Sequence, residues 1–457
     1  MAMINNALSG ALAAQVALSA SSQNIANLQT KGYTRQAALL TAVGPDSSPR
    51  SSGNGVQVSS LVRFSDGYKS QAMWRAASEL GAHSQTQPYL SQLESVMGDE
   101  TASLSAGIDQ FFGALNAVAG DPGSTPLRQQ VLTSASLMSE RFNGLNNVFN
   151  AQLQSVRNQR SAIVDSANAQ IATIARLNRQ ISEAQAGGLS ASSMIDARDQ
   201  AIDSLASKMG LEVSDNADGT RDVSLKTGQS LVLGSMHGTL KAAPTATSPQ
   251  EFSLSFAGTS YVLDPSKLGG QLGGLAKYEA EKLTPLQQDI ADIARQIAEK
   301  TNAQLALGFK PDGSGGTPLF DFNPGSNADM LKVTGGFVAA DLAFSADGAP
   351  GDTGNLQKLV ALKSQPITVG SIGSVLLSDA DTQLVGKLGV DSQLNKAALK
   401  TTQTVRTQSV DDWQSTSGVN QDEEAVNLVE YQNMYQANLK VISVANALFD
   451  ATLAMMG

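Results

Sequence analysis

The sequence predicts a mainly α protein with a small all-β domain: a terminal-helix coiled coil, an elongated helical bundle and an inserted β-domain. The chain runs out and back, so its domains are discontinuous. Three observations predict this. Apolar residues recur at 3.5–3.6 spacing over most of the chain. The period switches to two between Leu211 and Leu263. Both ends are helical in pattern and almost free of charge. The expected division is 1–60 with 411–457 as terminal assembly helices and adjoining segment, 61–210 with 276–410 as bundle, and 211–275 as β-domain.

The first element is a helix within residues 1–30, which hold no charged side chain. Ile4, Leu8, Ala11, Leu12, Leu18 and Ile25 form its apolar seam. A surface helix normally carries Lys and Glu outward, so this one is expected to face protein on more than one side. Ala11, Ala13, Ala14, Ala17 and Ala20 permit close helix approach. A cleaved signal peptide is not expected, because the first charge is Lys31 and Asn5, Asn6 and Gln15 interrupt any apolar core.

Helices are expected over 66–97 and 103–119. A much longer one starts at Thr125-Pro126 and runs towards Gly187-Gly188. Its seam includes Phe142, Phe149, Val156, Ile163, Ile174 and Ile181, and Asn143-Gly144 marks an expected kink. Another helix covers 193–209. In the β segment Phe252 to Phe256 alternates strictly, with turns at Asp218-Gly219 and Ala257-Gly258. The glycine-rich run Gly269 to Gly274 reads as a flexible loop. A helix follows from Thr284-Pro285 to about 307, stopped by Gly308. Residues 308–380, rich in Gly, Pro, Asp and Ser, read as long loops and short strands on the bundle. The last helix has a seam of Ala425, Leu428, Tyr435, Leu439, Ile442, Phe449 and Leu453, with Gln432 and Asn446 as polar members. Asn420 caps it, and Asp422, Glu423 and Glu424 favour its N-terminus.

Composition removes several function classes. The 457 residues carry 41 acidic and 31 basic side chains, a net charge of −10. With no clustered Lys and Arg, neither nucleic acid nor a membrane surface is an expected partner. No apolar run is long enough to insert in a membrane. Without cysteine there is no thiolate chemistry. His83 and His237 are too scattered for a metal site, and Asp312-Gly313-Ser314-Gly315 lacks the ligand spacing of a calcium loop. Asp411-Asp412 and Asp422 to Glu424 are adjacent carboxylates, not a pair facing across a cleft. No cofactor, metal or enzymatic activity is expected.

Two stretches carry a resemblance. One is Ser22-Gln23-Asn24-Ile25-Ala26-Asn27 with Thr30-Lys31-Gly32-Tyr33-Thr34-Arg35-Gln36. The other is Ser417-Gly418-Val419-Asn420-Gln421-Asp422-Glu423-Glu424, followed by Asn427-Leu428, Tyr431-Gln432, Tyr435, Ala437-Asn438, Val441-Ile442, Ala445-Asn446 and Phe449-Asp450. Together they resemble the axial proteins of the bacterial flagellum, most of all the hook-associated protein 1 family of the first hook–filament junction. Ile195 to Gln200 and Leu268 to Leu275 resemble that family's helix before the β-domain and the return from it. Gln421 departs from the apolar residue usual there.

The resemblance implies a structural subunit that polymerises at the distal end of the hook and joins hook to filament. Expected partners are further copies of itself as a ring or helical zone, the hook protein, the second hook–filament junction protein, and a cytoplasmic export chaperone on the C-terminal helix. The location would be extracellular, in the flagellum, after export through the type III apparatus. The implied assembly interface is Ile4, Leu8, Leu12, Leu18, Asn24, Ile25, Asn27, Gly32, Tyr33 and Arg35 from one end, and Leu428, Tyr431, Tyr435, Leu439, Ile442, Ala445, Phe449 and Leu453 from the other. Gly32 supplies a turn with positive φ, Tyr33 packs into the next domain, and Arg35 pairs with a carboxylate of its own chain or a neighbour's.

Burying a large apolar side chain gives ~1.5–3 kcal/mol, while ordering a residue costs ~1–2 kcal/mol. Two isolated end helices are therefore expected to be largely disordered in the monomer and to fold when docked among neighbours. The alternatives are another axial subunit of the hook type, a surface adhesin acting through its β-domain, and an enzyme acting on cell-wall glycan.

Overall fold

A computed structural model describes residues 2–44, 53–99, 103–244, 250–326 and 328–456. Part of the expected β segment, 245–249, lies outside these. The chain opens with α1 (Ala2–Ala26) and a hairpin of β1 (Gln36–Ala42) and β2 (Val56–Arg63). It then enters the bundle through α2 (Gly67–Met97), α3 (Leu104–Val118), α4 (Thr125–Ala186) and α5 (Ser192–Lys208). Helix α4 has 62 residues. A rise of ~1.5 Å per residue makes it ~93 Å long. Its buried stripe holds Phe142, Phe149, Val156, Ile163, Ile174 and Ile181, as the period predicts.

The expected kink at Asn143-Gly144 does not interrupt the helix. Asn143 has another use: its amide donates to the Leu331 carbonyl at 2.8 Å and accepts from the Leu331 N–H at 3.0 Å.

The β-domain follows α5. A four-stranded antiparallel sheet comprises β3 (Leu211–Asp215), β4 (Arg221–Leu225), β5 (Ser230–Leu233) and β6 (Met236–His237). A three-stranded sheet comprises β7 (Thr239–Ala243), β8 (Glu251–Phe256) and β9 (Thr259–Leu263). Gly219 and Gly258 take positive φ at the expected turns. Val223, Val232, Leu240, Phe252 and Leu254 belong to the same continuous core as the bundle helices. The β-domain is thus packed onto the bundle along α4.

The return contradicts the loop reading of the glycine-rich run. Gly270 to Tyr278 is a helix, α6, joined through a π turn at Glu279–Leu283 to α7 (Thr284–Ala306). Gly273 and Gly274 are buried in α6, and a Cβ on Gly274 would lie 2.5 Å from the Ala82 carbonyl oxygen of α2. The glycines serve close packing, not flexibility. Helix α7 starts at Thr284-Pro285 as expected, but it follows directly on the π turn. Pro285 lacks the N–H that would bond to residue 281, and the wider π turn immediately before it carries the chain past the gap.

Residues 308–380 form short hairpins on the bundle, as expected: β10 (Phe320–Phe322) with β11 (Leu331–Val333), then helix α8 (Gly354–Ala361), then β12 (Pro366–Val369) with β13 (Gly373–Leu376). Helix α9 (Ala380–Ser417) runs back along α2, and α10 (Gln421–Met456) closes the chain against α1.

Several strands are seated on helices by amide side chains that imitate a strand partner. Asn168 of α4 donates to the Leu240 carbonyl at 2.9 Å and accepts its N–H at 2.8 Å. Gln296 of α7 does the same for Thr368 at 2.6 and 2.9 Å. Asn302 does so for Phe320 at 2.8 and 3.0 Å. Each pairs backbone groups that would otherwise be left without partners at the helix face.

Candidate assembly surface

Against the expectation of disorder in the single chain, helix α1 is folded between two partners of its own chain. On one side sits the β1–β2 hairpin. Asn6 donates to the Gly53 carbonyl at 3.2 Å, and Ser9 accepts from the Val56 N–H at 3.2 Å. On the other side α10 runs antiparallel. Ser21 and Asn24 meet Glu424, and Gly10 meets Asn438.

The residues of α1 that pack inward are small. Ala7, Gly10, Ala11, Ala13, Ala14, Ala17 and Ala20 are buried, as are Ser21 and Asn24. The alanines expected to allow close approach do so. The large residues of the expected seam do not pack inside: Leu8 is 49 % exposed, Leu12 54 %, and Ile25 also faces solvent, while Ile4 and Leu18 are half-buried. A helix held this close by Ala and Gly has no room for leucine between the backbones.

The seam of α10 is displaced in the same way. Its α1-facing line is Glu424, Leu428, Tyr431, Tyr435, Asn438, Ile442 and Ala445, spaced alternately by three and four. Leu428, Tyr431, Tyr435 and Ile442 are half-buried there, and Ala445 is buried. Ala425, Gln432, Leu439, Asn446 and Leu453 lie off this line and are exposed. Phe449 continues the line but is 61 % exposed. The α1–α10 register accounts for this, since Asn24 opposite Glu424 and Gly10 opposite Asn438 place Ala2 near residue 446. The last turns of α10 extend beyond the start of α1.

Sequence reasoning missed two members of the line because they are polar. Glu424 is only 2 % exposed. Its carboxylate accepts from the Ser21 hydroxyl at 2.6 Å and from the Asn24 amide at 2.9 Å. Asn24 also donates to the Gln36 carbonyl at 2.8 Å, and its oxygen accepts from Gln36 N–H at 3.0 Å and Tyr33 hydroxyl at 2.9 Å. The signal was available: Ser21 and Asn24 lie three apart on one helix face. Asn438 fits because Gly10 opposite has no side chain; a Cβ there would lie 2.5 Å from its Oδ1. Asn420 caps α10 as expected, accepting from Asp422 N–H at 3.0 Å.

The segment after α1 ties this pair to the bundle. Asn27 sits in the helix-ending turn, accepting from Thr30 at 3.1 Å. Gly32 has φ +76° and lies against Gln200. Tyr33 is half-buried, and burial, with Asp196 nearby, pushes its phenol above the usual range. Arg35 pairs within its own chain, with Glu423 at 2.6 Å, and its guanidinium lies 4.4 Å from the Phe64 ring centroid. Its backbone N–H donates to the Ser417 carbonyl at 2.8 Å, just before α10 begins.

Outward-facing apolar residues collect on the far sides of both helices. They include Leu8 and Leu12 on α1, and Val426, Val429, Val441, Val444 and Leu448 on α10. Among the described residues no helix is long and apolar enough to cross a membrane, and no cluster of three His, Cys, Asp or Glu is placed to hold a metal. Asp312 is engaged locally, accepting from Ser314 N–H at 2.9 Å and hydroxyl at 2.6 Å.

A family model for the flagellar hook-associated protein FlgK helical domain matches residues 90–320, and one for the flagellar basal body rod FlgEFG protein C-terminal matches 413–455. Flagellar hook-associated protein 1 of Escherichia coli (strain K12) is 27 % identical, over 99 % of both chains. That of Bacillus subtilis (strain 168) is 26 % identical, over 97 % of this chain and 96 % of its own. Among solved structures, the flagellar hook junction protein FlgK from Burkholderia pseudomallei matches with a TM-score of 0.52 at 27 % identity, over 55 % of this chain and 47 % of that one. The chain belongs to the flagellar hook-associated protein FlgK family and is a structural protein of the flagellar hook–filament junction.

Proposed function

We propose that the chain polymerises as a short ring or helical zone on the distal end of the hook, and that the outward faces of α1 and α10 are what its copies use. The observation that carries this is the inversion of the terminal pair. Small residues pack inside one chain, while Leu8, Leu12, Val426, Val429, Val441 and Val444 point out. Each such side chain offers ~1.5–3 kcal/mol on burial, and exposed apolar side chains gathered on the outward face of a helix mark an interface. The hook protein adjoins one side of the zone and the second junction protein the other. Before assembly the chain leaves the cell through the flagellar type III apparatus without a cleaved signal, and a cytoplasmic chaperone covers the C-terminal helix. On this reading residues 1–60 with 411–457 form the assembly module, the helical bundle and the β-domain lie outside it, and the protein does no catalysis.

Electron microscopy of cells lacking the gene, with a blot for flagellin in the medium, tests the proposal. Hooks without filaments and flagellin lost to the medium are expected. Complete filaments with normal motility would overturn it.

A further inference from the structure

The motif Ile195 to Gln200 has no part in the terminal surface, yet with Asp203 it joins four separate parts of the chain: the α1–β1 connection, β2, β4 and α9. Four residues of α5, at spacings of three, one and three, project from one helix face: Asp196, Asp199, Gln200 and Asp203. Asp196, only 6 % exposed, accepts from the Thr34 N–H at 3.2 Å and from Arg63 Nε at 2.8 Å. Asp199 takes the other arm of Arg63 at 2.9 Å and also holds Arg221 of the β-domain. Gln200 donates to the Lys31 carbonyl at 2.5 Å. Asp203 accepts from Arg406 of α9 at 2.7 Å.

The chain passes between the terminal module and the bundle twice: after β2, and between α9 and α10. Arg63 ends β2 on the first crossing, and Lys31 and Thr34 lie on the α1–β1 connection, which leans on the same strip. Arg406 lies on α9 ahead of the second crossing, where the Arg35 N–H already reaches Ser417.

We infer that this strip of α5 is the joint that sets the angle between the terminal module and the bundle, with Asp196 and Arg63 as its positioning residues. Buried ion pairs of this kind add little net stability, because desolvation offsets attraction; what their fixed fork geometry supplies is orientation. Gly32 fits the same role. A Cβ at that position would lie 2.6 Å from the Gln200 amide nitrogen and displace it.

The chain has no cysteine, so spin labels can be placed cleanly at Ser19→Cys on α1 and Gln154→Cys on α4, both exposed. Pulsed electron resonance on the full chain then reads the distance between module and bundle. One narrow distance is expected for the labelled parent. With Arg63→Met and Asp196→Asn together, the distribution should broaden into several populations while the thermal unfolding midpoint stays in place. The Asn keeps an acceptor for Thr34, and Asp199 keeps Arg221. Gln200→Ala, at an exposed position that does not threaten folding, should broaden it less. A parent already broad, or variants as narrow as the parent, would overturn the inference. The measurement uses isolated protein, so its outcome is independent of the role proposed at the hook.

Discussion

Glu424 offers a direct measure of how tightly the terminal helices pair within one chain. In Glu424→Ala both acceptors vanish, and the donors of Ser21 and Asn24, 3 % and 1 % exposed, are left facing a void. Asn24 keeps its bonds to Gln36 and Tyr33, so only one amide hydrogen and one hydroxyl are stranded. Hydrogen bonds to a charged group contribute ~1.5–3 kcal/mol each, and a stranded buried donor costs ~1–3 kcal/mol. Allowing for overlap between these, the pairing should weaken by ~3 kcal/mol, which is roughly two decades in local opening. Glu424→Gln keeps an oxygen for Asn24 and offers an N–H to the Ser21 hydroxyl, which can rotate to accept it. Its cost should be ~1 kcal/mol. Amide hydrogen exchange of α1 in the purified chain reads this directly. Protection should fall steeply in the Ala variant and slightly in the Gln variant, with α4 unchanged in both. If α1 exchanges at the same rate in parent and Glu424→Ala, the pairing argument fails.

Leu12→Glu should leave the thermal midpoint of the isolated chain nearly unchanged, because exposed substitutions usually stay within ~0.5 kcal/mol. It should abolish motility in swim agar by placing a charge on the proposed contact face; wild-type swimming would exclude that face. Gly274→Ala forces a Cβ to 2.5 Å from the Ala82 carbonyl and should lower stability by ~1–3 kcal/mol in urea unfolding, the usual cost of overpacking. An unchanged midpoint would return the segment to a loose loop. Burial holds the Asp196 carboxyl above the usual 3.8, against the opposing pull of Arg63. A raised folded pKa gives stability that is full below the unfolded value and lost as pH rises through the folded one. Stability relative to Asp196→Asn should therefore decline as pH climbs from below 3.8 towards neutrality; a constant or rising difference would contradict it.

What the sequence shows and hides follows from which atoms carry the packing. Helix α4 was legible because its buried stripe is aliphatic and aromatic. Helix α9 was not. Its bundle-facing line runs through Asp381, Leu384, Leu388, Ser392, Asn395, Thr402, Arg406 and Trp413, and mostly polar side chains give no hydrophobic period. The β1–β2 hairpin went unseen because a register shift between Leu39 and Leu40 breaks the alternation that would announce a strand. The terminal seams are displaced because a sequence pattern assigns large apolar residues inward, whereas Gly10 and the alanines bring the backbones too close for them. The partners of Asn143, Asn168 and Asn302 are backbone groups far along the chain, which no local pattern reveals.

The contrast in charge between the two working parts of the chain follows from how often each is repeated in space. Asp196, Asp199, Arg63 and Arg221 meet one another inside a single chain, where opposite signs are fixed side by side and fork geometry can hold an angle. The outward faces of α1 and α10 would instead meet copies of themselves in the assembly proposed above. Any charge there recurs at every neighbour with the same sign, and excluding water strengthens the repulsion. Apolar side chains avoid that conflict, since like meets like favourably. Charge is therefore concentrated where one partner is guaranteed and sparse where the partner is another copy, Glu430 and Lys440 being exceptions on the outward face of α10. Arg35 and Glu423 stand at the border between these regimes, paired at 2.6 Å within one chain, with Glu423 in the acidic first turn of α10.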